Sequence, residues 1–286
     1  MDTQVSADTS REPAGSDEVR SFYDTEGWKE TESGKLWDQV LFGDPEFGDI
    51  RRDALGQRRR RVREAYRCLG GRMNFVECGC GGNPALYLSD LCDRYTGVDF
   101  STTGLAVARH KLGRSSLSAQ LTAADLCRLP FHDAAFDGAY SAHALYHIPD
   151  PAAQGRAFDE IMRIVRPGGV AVFILANPRP LAFPVRLLLR LVADAPFLGK
   201  LANRLRRRPP LPYRPMPLSW MRCRLERFGS VDMAGHAMAS TWLNHHVSDR
   251  SVVGRILWKA IRRLEKEYPA LSARLGNYVV IRVQRR

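Results

Sequence analysis

A short apolar segment that ends in a glycine-rich turn limits what this chain can fold into. Residues 73–82 read MNFVECGCGG, and the first four predict a buried strand. Gly79, Gly81 and Gly82 allow positive φ angles and let bare backbone approach a ligand. Pro84 predicts the start of a helix, because the first helical turn tolerates a residue without an amide hydrogen. A strand, a glycine turn and a helix N-terminus in succession predict an α/β domain with a small-ligand site at the turn.

The charge of that ligand is indicated by Glu77, which ends the predicted strand two residues before Gly79. The dinucleotide fingerprint G-x-G-x-x-G is incomplete, because Pro84 occupies the place of its third glycine. A carboxylate at this position repels a pyrophosphate and attracts an ammonium or sulfonium group. The sequence therefore predicts a cofactor that carries positive charge near the turn.

Residues 77–83, with the pattern E-x-G-x-G-G-N, resemble the first motif of the class I S-adenosylmethionine-dependent methyltransferases, of the ubiquinone and menaquinone type. Asp99 ends the segment YTGVD, where that family places an acid on the ribose hydroxyls. Asp125 and Leu126 lie in a segment that resembles the family's adenine-side loop. Asn83 departs from the third glycine that many members have, and this departure affects the expected tilt of the turn.

Two later segments also resemble this family. Residues 136–141, FDGAYS, are similar to its fourth strand, and residues 163–169, RIVRPGG, are similar to the helix exit before its fifth strand. The resemblance covers residues 73–176. It implies a Rossmann-like α/β fold with a doubly wound, mostly parallel seven-stranded sheet, an N-terminal helical lid and a basic cap insertion after strand five.

The resemblance also implies S-adenosylmethionine as the cofactor. The residues that it implies in cofactor binding lie in or beside the matched motifs: Glu77, Gly79, Gly81, Asp99, Phe100, Asp125, Leu126 and Ser141. Cys78 and Cys80 have C-x-C spacing, but the second pair that a zinc site needs is missing. We therefore predict no structural metal.

The length of 286 residues fits one elaborated domain. The polar N-terminus predicts a disordered tail rather than a signal peptide, and no apolar run approaches the roughly 18 residues of a membrane span. We therefore expect a cytoplasmic protein. The expected organisation is a tail at 1–20 and one domain at 21–286, divided into a lid and helices at 21–70, a cofactor-binding core at 71–176, a cap insertion at 177–227 and a C-terminal helix with closing strands at 228–286.

The net charge of +12 is concentrated in two arginine-rich blocks. Eight arginines lie between residues 51 and 67, and twelve basic residues lie between residues 179 and 227. Such blocks indicate an anionic acceptor, nucleic acid or an acidic membrane surface, and residues 179–215 are the expected contact with the inner face of a membrane. A solvated helix face is the alternative. The apolar stretch at 181–192 would also suit a homodimer interface.

Candidate catalytic residues come from two segments. The segment SFYDTEGW is expected to fold over the cofactor and to bring Tyr23 or Trp28 near the methyl group, although both aromatic rings could instead anchor the segment. His143 and His147 follow the fourth predicted strand, four residues apart, so a helical turn would place them on one side. We prefer His143 as the base, because it is nearer to the strand end, and expect a packing role for His147. A second pair, His245 and His246, is an alternative.

A long basic helix is expected from about Asp249 to Glu267. Its apolar residues are spaced for one buried face: Val252, Val253, Ile256, Leu257, Ile261 and Leu264.

The favoured function is methyl transfer to a hydroxyl or activated carbon of a small acceptor, partly apolar or anionic, such as a specialised metabolite, a quinone-like molecule or an envelope precursor. An RNA or DNA methyltransferase is one alternative. It is disfavoured because Ser141 to Ala144 read Ser-Ala-His-Ala, where base amino-group enzymes of this fold carry Asn/Asp-Pro-Pro-Tyr/Phe. A non-catalytic protein that binds the cofactor is the other, and the intact Glu77, Gly79 and Asp99 argue against loss of the site.

Overall fold

A computed structural model describes residues 16–28, 49–180, 212–236 and 247–286, and within them seven strands pair into one sheet. The strands are β1 Met73–Cys78, β2 Cys92–Asp99, β3 Ala119–Ala123, β4 Phe136–Ala142, β5 Val165–Ala176, β6 Gly229–His236 and β7 Tyr278–Arg285. Their order across the sheet is β3-β2-β1-β4-β5-β7-β6. Strands β1 to β5 run parallel to one another, and β7 is antiparallel to both β5 and β6. The predicted mostly parallel, seven-stranded sheet is confirmed.

Helices and short helical turns connect the strands. The helices are α1 Ser16–Phe22, α2 Asp49–Ala65, α3 Thr102–Leu112, α4 Pro151–Ile164, α5 Leu218–Glu226, α6 Val252–Glu267 and α7 Pro269–Leu275. A π-helical turn spans Tyr23–Gly27, and 3-10 turns span Arg67–Leu69, Leu86–Leu91 and Leu145–His147. Side chains fix the starts of α3 and α4, because Ser101 Oγ accepts from the Gly104 amide and the Asp150 carboxylate accepts from the amides of Ala152 and Ala153.

Both faces of the sheet are covered, as a doubly wound fold requires. Side chains of β5 alternate between the two sides: Phe173 packs in the cluster that contains Phe158 of α4, and Val172 packs in the cluster that contains Val62 of α2. The strand order reverses at β1, which lies between β2 and β4. A crevice therefore opens at the carboxyl ends of β1 and β4, where open α/β sheets bind their ligands.

Several local expectations differ from the structure. Helix α1 begins at Ser16, so the last residues of the predicted tail 1–20 are helical. The helix expected after Pro84 is only the 3-10 turn Leu86–Leu91, because the chain enters β2 at Cys92 and leaves no room for a longer helix. Residues 181–211 of the predicted cap, and the pair His245 and His246, lie outside the described residues.

The prediction of a buried apolar face on α6 was wrong. Val252, Val253 and Ile256 are 76%, 77% and 66% exposed, and Leu257 and Leu264 are also exposed. The side that packs contains Gly254, Trp258 and Glu265 instead. A Cβ at Gly254 would lie 1.9 Å from Ser248 O, and the Trp258 indole donates to Val247 O over 2.9 Å. These contacts fix the rotation of the helix and turn its apolar stripe outward.

The close contact between β6 and α7 gives a test of the fold. A Cβ at Gly235 would lie 1.8 Å from Ser272 O, whereas a Cβ at Gly71 would meet nothing within 4 Å. We expect Gly235→Ala to lower the free energy of unfolding in urea by about 1–3 kcal/mol, because the backbones must separate. Gly71→Ala is the control and should leave the free energy of unfolding unchanged or slightly higher. Equal urea midpoints for the two variants would contradict this packing.

Candidate functional site

The glycine turn after β1 brings backbone without side chains to the crevice. The amides of Gly79 and Cys80 donate to Val98 O over 2.7 and 3.1 Å, which fixes the turn on β2. Gly79 and Gly81 have φ angles of 79° and 47°, in the left-handed region that favours glycine. A Cβ at Gly79 would lie 2.4 Å from the Ala144 Cβ, so the segment that leaves β4 passes directly against the turn. Any side chain at this position would close the site.

The Glu77 carboxylate supports the turn from within the protein. Its Oε2 accepts from the Ala85 amide over 2.8 Å and from the Tyr95 hydroxyl over 2.6 Å. Burial raises the pKa of Glu77 to about 7. Both of these hydrogen bonds hold the turn itself. The contact of Glu77 with a cofactor therefore stays a prediction.

The Asp99 carboxylate joins the turn to the start of α3. Its Oδ2 accepts from the Gly81 amide over 2.8 Å, and its Oδ1 accepts from the Ser101 amide over 2.9 Å. The residue is 7% exposed, and burial raises the pKa of its carboxyl group to about 6. Gly81 is thus held beside the carboxylate that the sequence predicted for the ribose hydroxyls.

The N-terminal segment, residues 16–28, lies against the same turn. Asp24 Oδ1 accepts from Ser101 Oγ over 2.7 Å, and Thr103 Oγ1 donates to Asp24 O over 3.2 Å. The Trp28 ring fills the space beside the glycines, because Cβ atoms at Gly81 and Gly104 would lie 2.1 and 2.7 Å from it. The segment therefore covers one side of the glycine turn, as a lid would.

Tyr23 connects this segment to two residues elsewhere in the chain. Its ring stacks on Trp28 with centroids 5.7 Å apart. It also makes edge contacts with the rings of Phe100 and His147, each with centroids 6.3 Å apart. Three predicted site residues, Tyr23, Phe100 and His147, thus meet beside the glycine turn.

Both ring nitrogens of His143 are engaged. Arg58 Nη1 lies 3.2 Å from its Nε2, and the Tyr146 hydroxyl lies 2.9 Å from its Nδ1. A guanidinium can only donate, so Nε2 is the acceptor and Nδ1 carries the proton. Burial and the charge of Arg58 hold the pKa of His143 well below its usual value. His143 also has a φ of 60°, so its backbone is strained where the chain leaves β4.

His147 has the same tautomer, but its Nδ1 faces a backbone carbonyl. Its Nδ1 lies 2.8 Å from Pro212 O, and a carbonyl oxygen can only accept, so Nδ1 carries the proton and the lone pair is on Nε2. Burial lowers the pKa of His147, which keeps the ring neutral at physiological pH. The expected helical turn is a 3-10 turn, and both histidines contact Tyr146, with ring centroids 6.1 Å (His143) and 4.5 Å (His147) from its ring.

The remaining predicted residues lie around the turn. Leu126 Cδ1 would be 3.7 Å from a Cβ at Gly79, so the predicted adenine-side loop reaches the turn. Asp125 Oδ1 accepts from the Cys127 amide over 2.8 Å, within that loop. Ser141 Oγ is buried and has no hydrogen-bond partner among the residues that the structure describes.

Sequence reasoning missed Arg58 and Asp24. Arg58 was seen only as part of a basic block, although it contacts His143. Asp24 carries no motif, and only its position between Tyr23 and Trp28 could have drawn attention to it. Each acts on a residue far away in the sequence, which no local pattern reveals.

No group of three His, Cys, Asp or Glu side chains in the described part of the chain could hold a metal ion. None of the described helices combines the length and the hydropathy that a transmembrane segment needs.

Residues 76–173 match the methyltransferase domain family. The chain is 30% identical over 157 residues to the O-methyltransferase rstn1 of Aspergillus nomiae, a match that covers 48% of this chain and 68% of that protein. It is 30% identical over 104 residues to the sterol 4-C-methyltransferase strm-1 of Caenorhabditis elegans, which covers 35% of this chain and 30% of that protein. The chain spans less than half the length of the first curated relatives that it matches.

Among solved structures, the N-methyltransferase NodS of Bradyrhizobium japonicum, in complex with S-adenosyl-L-homocysteine, has the same fold. The two structures align with a TM-score of 0.54 at 14% identity, over 94% of this chain and 98% of NodS. The domain match covers the strands that build the crevice, and the O-methyltransferase aligns over 68% of its own length. The chain therefore belongs to the class I S-adenosylmethionine-dependent methyltransferases.

Proposed function

We propose that this protein binds S-adenosylmethionine at the glycine turn and transfers its methyl group to a small-molecule acceptor. The observation that carries the proposal is the Asp99 carboxylate, held by the amides of Gly81 and Ser101 at the edge of the crevice. The residues present fit this cofactor, because Gly79 and Gly81 offer bare backbone and Ser141 Oγ is a buried polar atom without a partner in the described residues. When bound, the cofactor supplies an electrophilic methyl group on a positive sulfur.

His147 is our proposed base, in place of His143. The Nε2 lone pair of His147 is the acceptor end of a neutral ring, beside Tyr23. His143 instead receives a hydrogen bond from Arg58 at its Nε2. The N-terminal segment would exclude water from the transfer, since Trp28 and Tyr23 already cover the turn. Orientation by these surrounding groups supplies much of the acceleration that methyl transfer needs.

The proposed acceptor combines an apolar body with a hydroxyl or an activated carbon. Support comes from the two relatives described above, which are named as a sterol 4-C-methyltransferase and an O-methyltransferase. The aromatic rings of Tyr23 and Tyr146, which both contact His147, suit an apolar surface. A quinone-like molecule or a specialised metabolite would meet these requirements.

We also propose that the protein contacts an anionic membrane, through α6. The expected contact by residues 179–215 lies largely outside the described residues. Helix α6 presents Val253 and Ile256 to solvent, with the exposed cations Arg255, Lys259 and Lys266 along one side of the apolar stripe. An apolar stripe flanked by cations complements the acyl and headgroup layers of an anionic bilayer. This position would give the enzyme access to lipid-soluble acceptors.

Removal of the Asp99 carboxylate tests cofactor binding. We expect Asp99→Ala to weaken the binding of S-adenosyl-L-homocysteine about 10- to 100-fold in calorimetry, because a charged hydrogen-bond acceptor is lost. Asp93→Ala is the matched control, since Asp93 lies on the same strand but forms an exposed pair with Arg72. The control should bind as the wild type does. No binding heat from the wild-type protein at micromolar concentration would contradict the proposed function.

Catalysis is tested with methyl-labelled S-adenosylmethionine and a small-molecule extract of the source organism. The wild-type protein should transfer label to an extractable product, and Asp99→Ala should not. Cofactor binding without any labelled product would favour the non-catalytic alternative.

The pH dependence of binding tests the role of Glu77. Its pKa of about 7 leaves the carboxyl group largely protonated at pH 6, and a nearby sulfonium favours the ionised form. Affinity for S-adenosylmethionine relative to S-adenosyl-L-homocysteine, which lacks the positive sulfur, should therefore rise with pH, by up to about tenfold between about pH 6 and 8. In Glu77→Gln this ratio should not change with pH. A constant ratio in the wild-type protein would refute the electrostatic role.

Vesicle sedimentation tests the membrane contact. Wild-type protein should bind vesicles that contain phosphatidylserine more strongly than neutral phosphatidylcholine vesicles. The double variant Val253→Glu, Ile256→Glu should lose most of this binding, because it places carboxylates in the apolar stripe, while its thermal unfolding stays unchanged. Equal sedimentation of the variant and the wild type would show that α6 is not the contact.

A further inference from the structure

Arginines from two helices surround two partly buried histidines at the carboxyl edge of the sheet. Arg58 and Arg61 come from α2, and Arg262 comes from α6. The histidines are His143, just after β4, and His236, the last residue of β6. Burial and the positive charges of all three arginines hold the pKa of His236 well below its usual value, so the arginine charges reach the rings. We call this group of five residues the arginine cluster.

Among the residues that the structure describes, Glu265 is the carboxylate seen to pair with the arginine cluster. Arg262 pairs with the buried Glu265 over 3.6 Å. The two hydrogen bonds of Arg61 go to backbone carbonyls, Gly235 O at 2.8 Å and Glu265 O at 3.0 Å. The hydrogen bond of Arg58 goes to a neutral imidazole, and its Nε is buried without a hydrogen-bond partner among the described residues. Positive charge therefore exceeds negative charge where these side chains meet.

Two other partly buried arginines of this chain are balanced by carboxylates. Arg163 donates to Glu160 and Asp133, and Arg224 forms two hydrogen bonds with Asp159. Arginine in a purely structural role is expected to have such a partner, because a buried guanidinium N–H without an acceptor is costly. Arg58 differs from them, because its buried Nε has no hydrogen-bond partner among the described residues. A bound anion would supply the missing acceptor.

The arginine cluster adjoins the proposed reaction site. The Tyr146 hydroxyl contacts His143, and the ring of Tyr146 lies 4.5 Å from that of His147, the proposed base. On the other side, the ring of His143 lies 4.8 Å from the ring of Tyr278, which pairs with His236 across β6 and β7. A molecule that reaches His147 could therefore extend one end toward Arg58.

We propose that Arg58, Arg61 and His143 bind an anionic group, a carboxylate or a phosphate, on the methyl acceptor. This inference rests on the proposed function and names the chemistry of its substrate. The planar guanidinium donates in a fork that matches the oxygens of both anions, and Arg58 has a buried N–H available for it. Arg58 is thus a substrate-binding residue, and its contact with His143 keeps the imidazole in place until the anion arrives.

The test follows the histidine side chains by NMR while inorganic phosphate or benzoate is added to the whole protein. In the wild-type protein we expect saturable shifts of the His143 and His236 resonances, because an anion in the arginine cluster stabilises their charged forms. Arg58→Gln should weaken the apparent affinity for these anions at least tenfold. The affinity of Arg58→Lys should lie between those of the wild type and Arg58→Gln, since lysine keeps the charge but lacks the forked guanidinium. Stronger binding of phosphate or of benzoate would tell which anion the acceptor carries.

Arg59→Gln is the matched control, because Arg59 is the next residue of α2 and lies over the Tyr87 ring instead. It should bind both anions as the wild type does. Absence of saturable shifts in the wild-type protein, or equal weakening by Arg59→Gln and Arg58→Gln, would overturn the inference. Binding of S-adenosyl-L-homocysteine is measured on the same samples: its retention in Arg58→Gln shows that the variant is folded. If the wild-type protein does not bind S-adenosyl-L-homocysteine, the proposed function is rejected, while the measured binding of phosphate or benzoate still stands.

Discussion

The hydrogen bond from the Gly81 amide to the Asp99 carboxylate joins the ends of two neighbouring strands, and the rest of the site is arranged around it. It holds the glycine turn of β1 against the carboxyl end of β2. The hydroxyl of Ser101, the residue that caps α3, donates to Asp24 of the N-terminal segment. Burial makes the Asp99 carboxylate costly to ionise, and the two amide donors offset part of that cost and hold it in place. The turn, the start of α3 and the covering segment are consequently positioned by one side chain.

Aromatic and imidazole rings connect this turn to the acceptor side. Contacts run from Trp28 through Tyr23 to His147, then through Tyr146 to His143 and Arg58 at the far end; the rings are joined by centroid distances of 4.5–6.3 Å. The cofactor end of this row is acidic, with Glu77 and Asp99, and the far end is cationic. Such a division suits a positively charged donor at one end and an anionic acceptor at the other.

Local patterns in the sequence were sufficient for the strands and the glycine turn, because an apolar run, an acid and glycines are adjacent in the chain. Local patterns were insufficient where a residue's role depends on a contact with a residue far away in the sequence. His143 was preferred as the base for its nearness to β4, but Arg58, 85 residues earlier, occupies its Nε2. The periodicity of α6 revealed an amphipathic helix but not which side packs, which Gly254 and Trp258 decide. The domain boundaries and the individual site roles stay predictions.

A crystal structure of the protein with S-adenosyl-L-homocysteine tests the central claim most directly. The account predicts that the ligand lies against the backbone of Gly79 and Gly81, with its ribose hydroxyls within hydrogen-bond distance of the Asp99 carboxylate. An empty crevice under saturating ligand, or a dinucleotide bound there in its place, would contradict it.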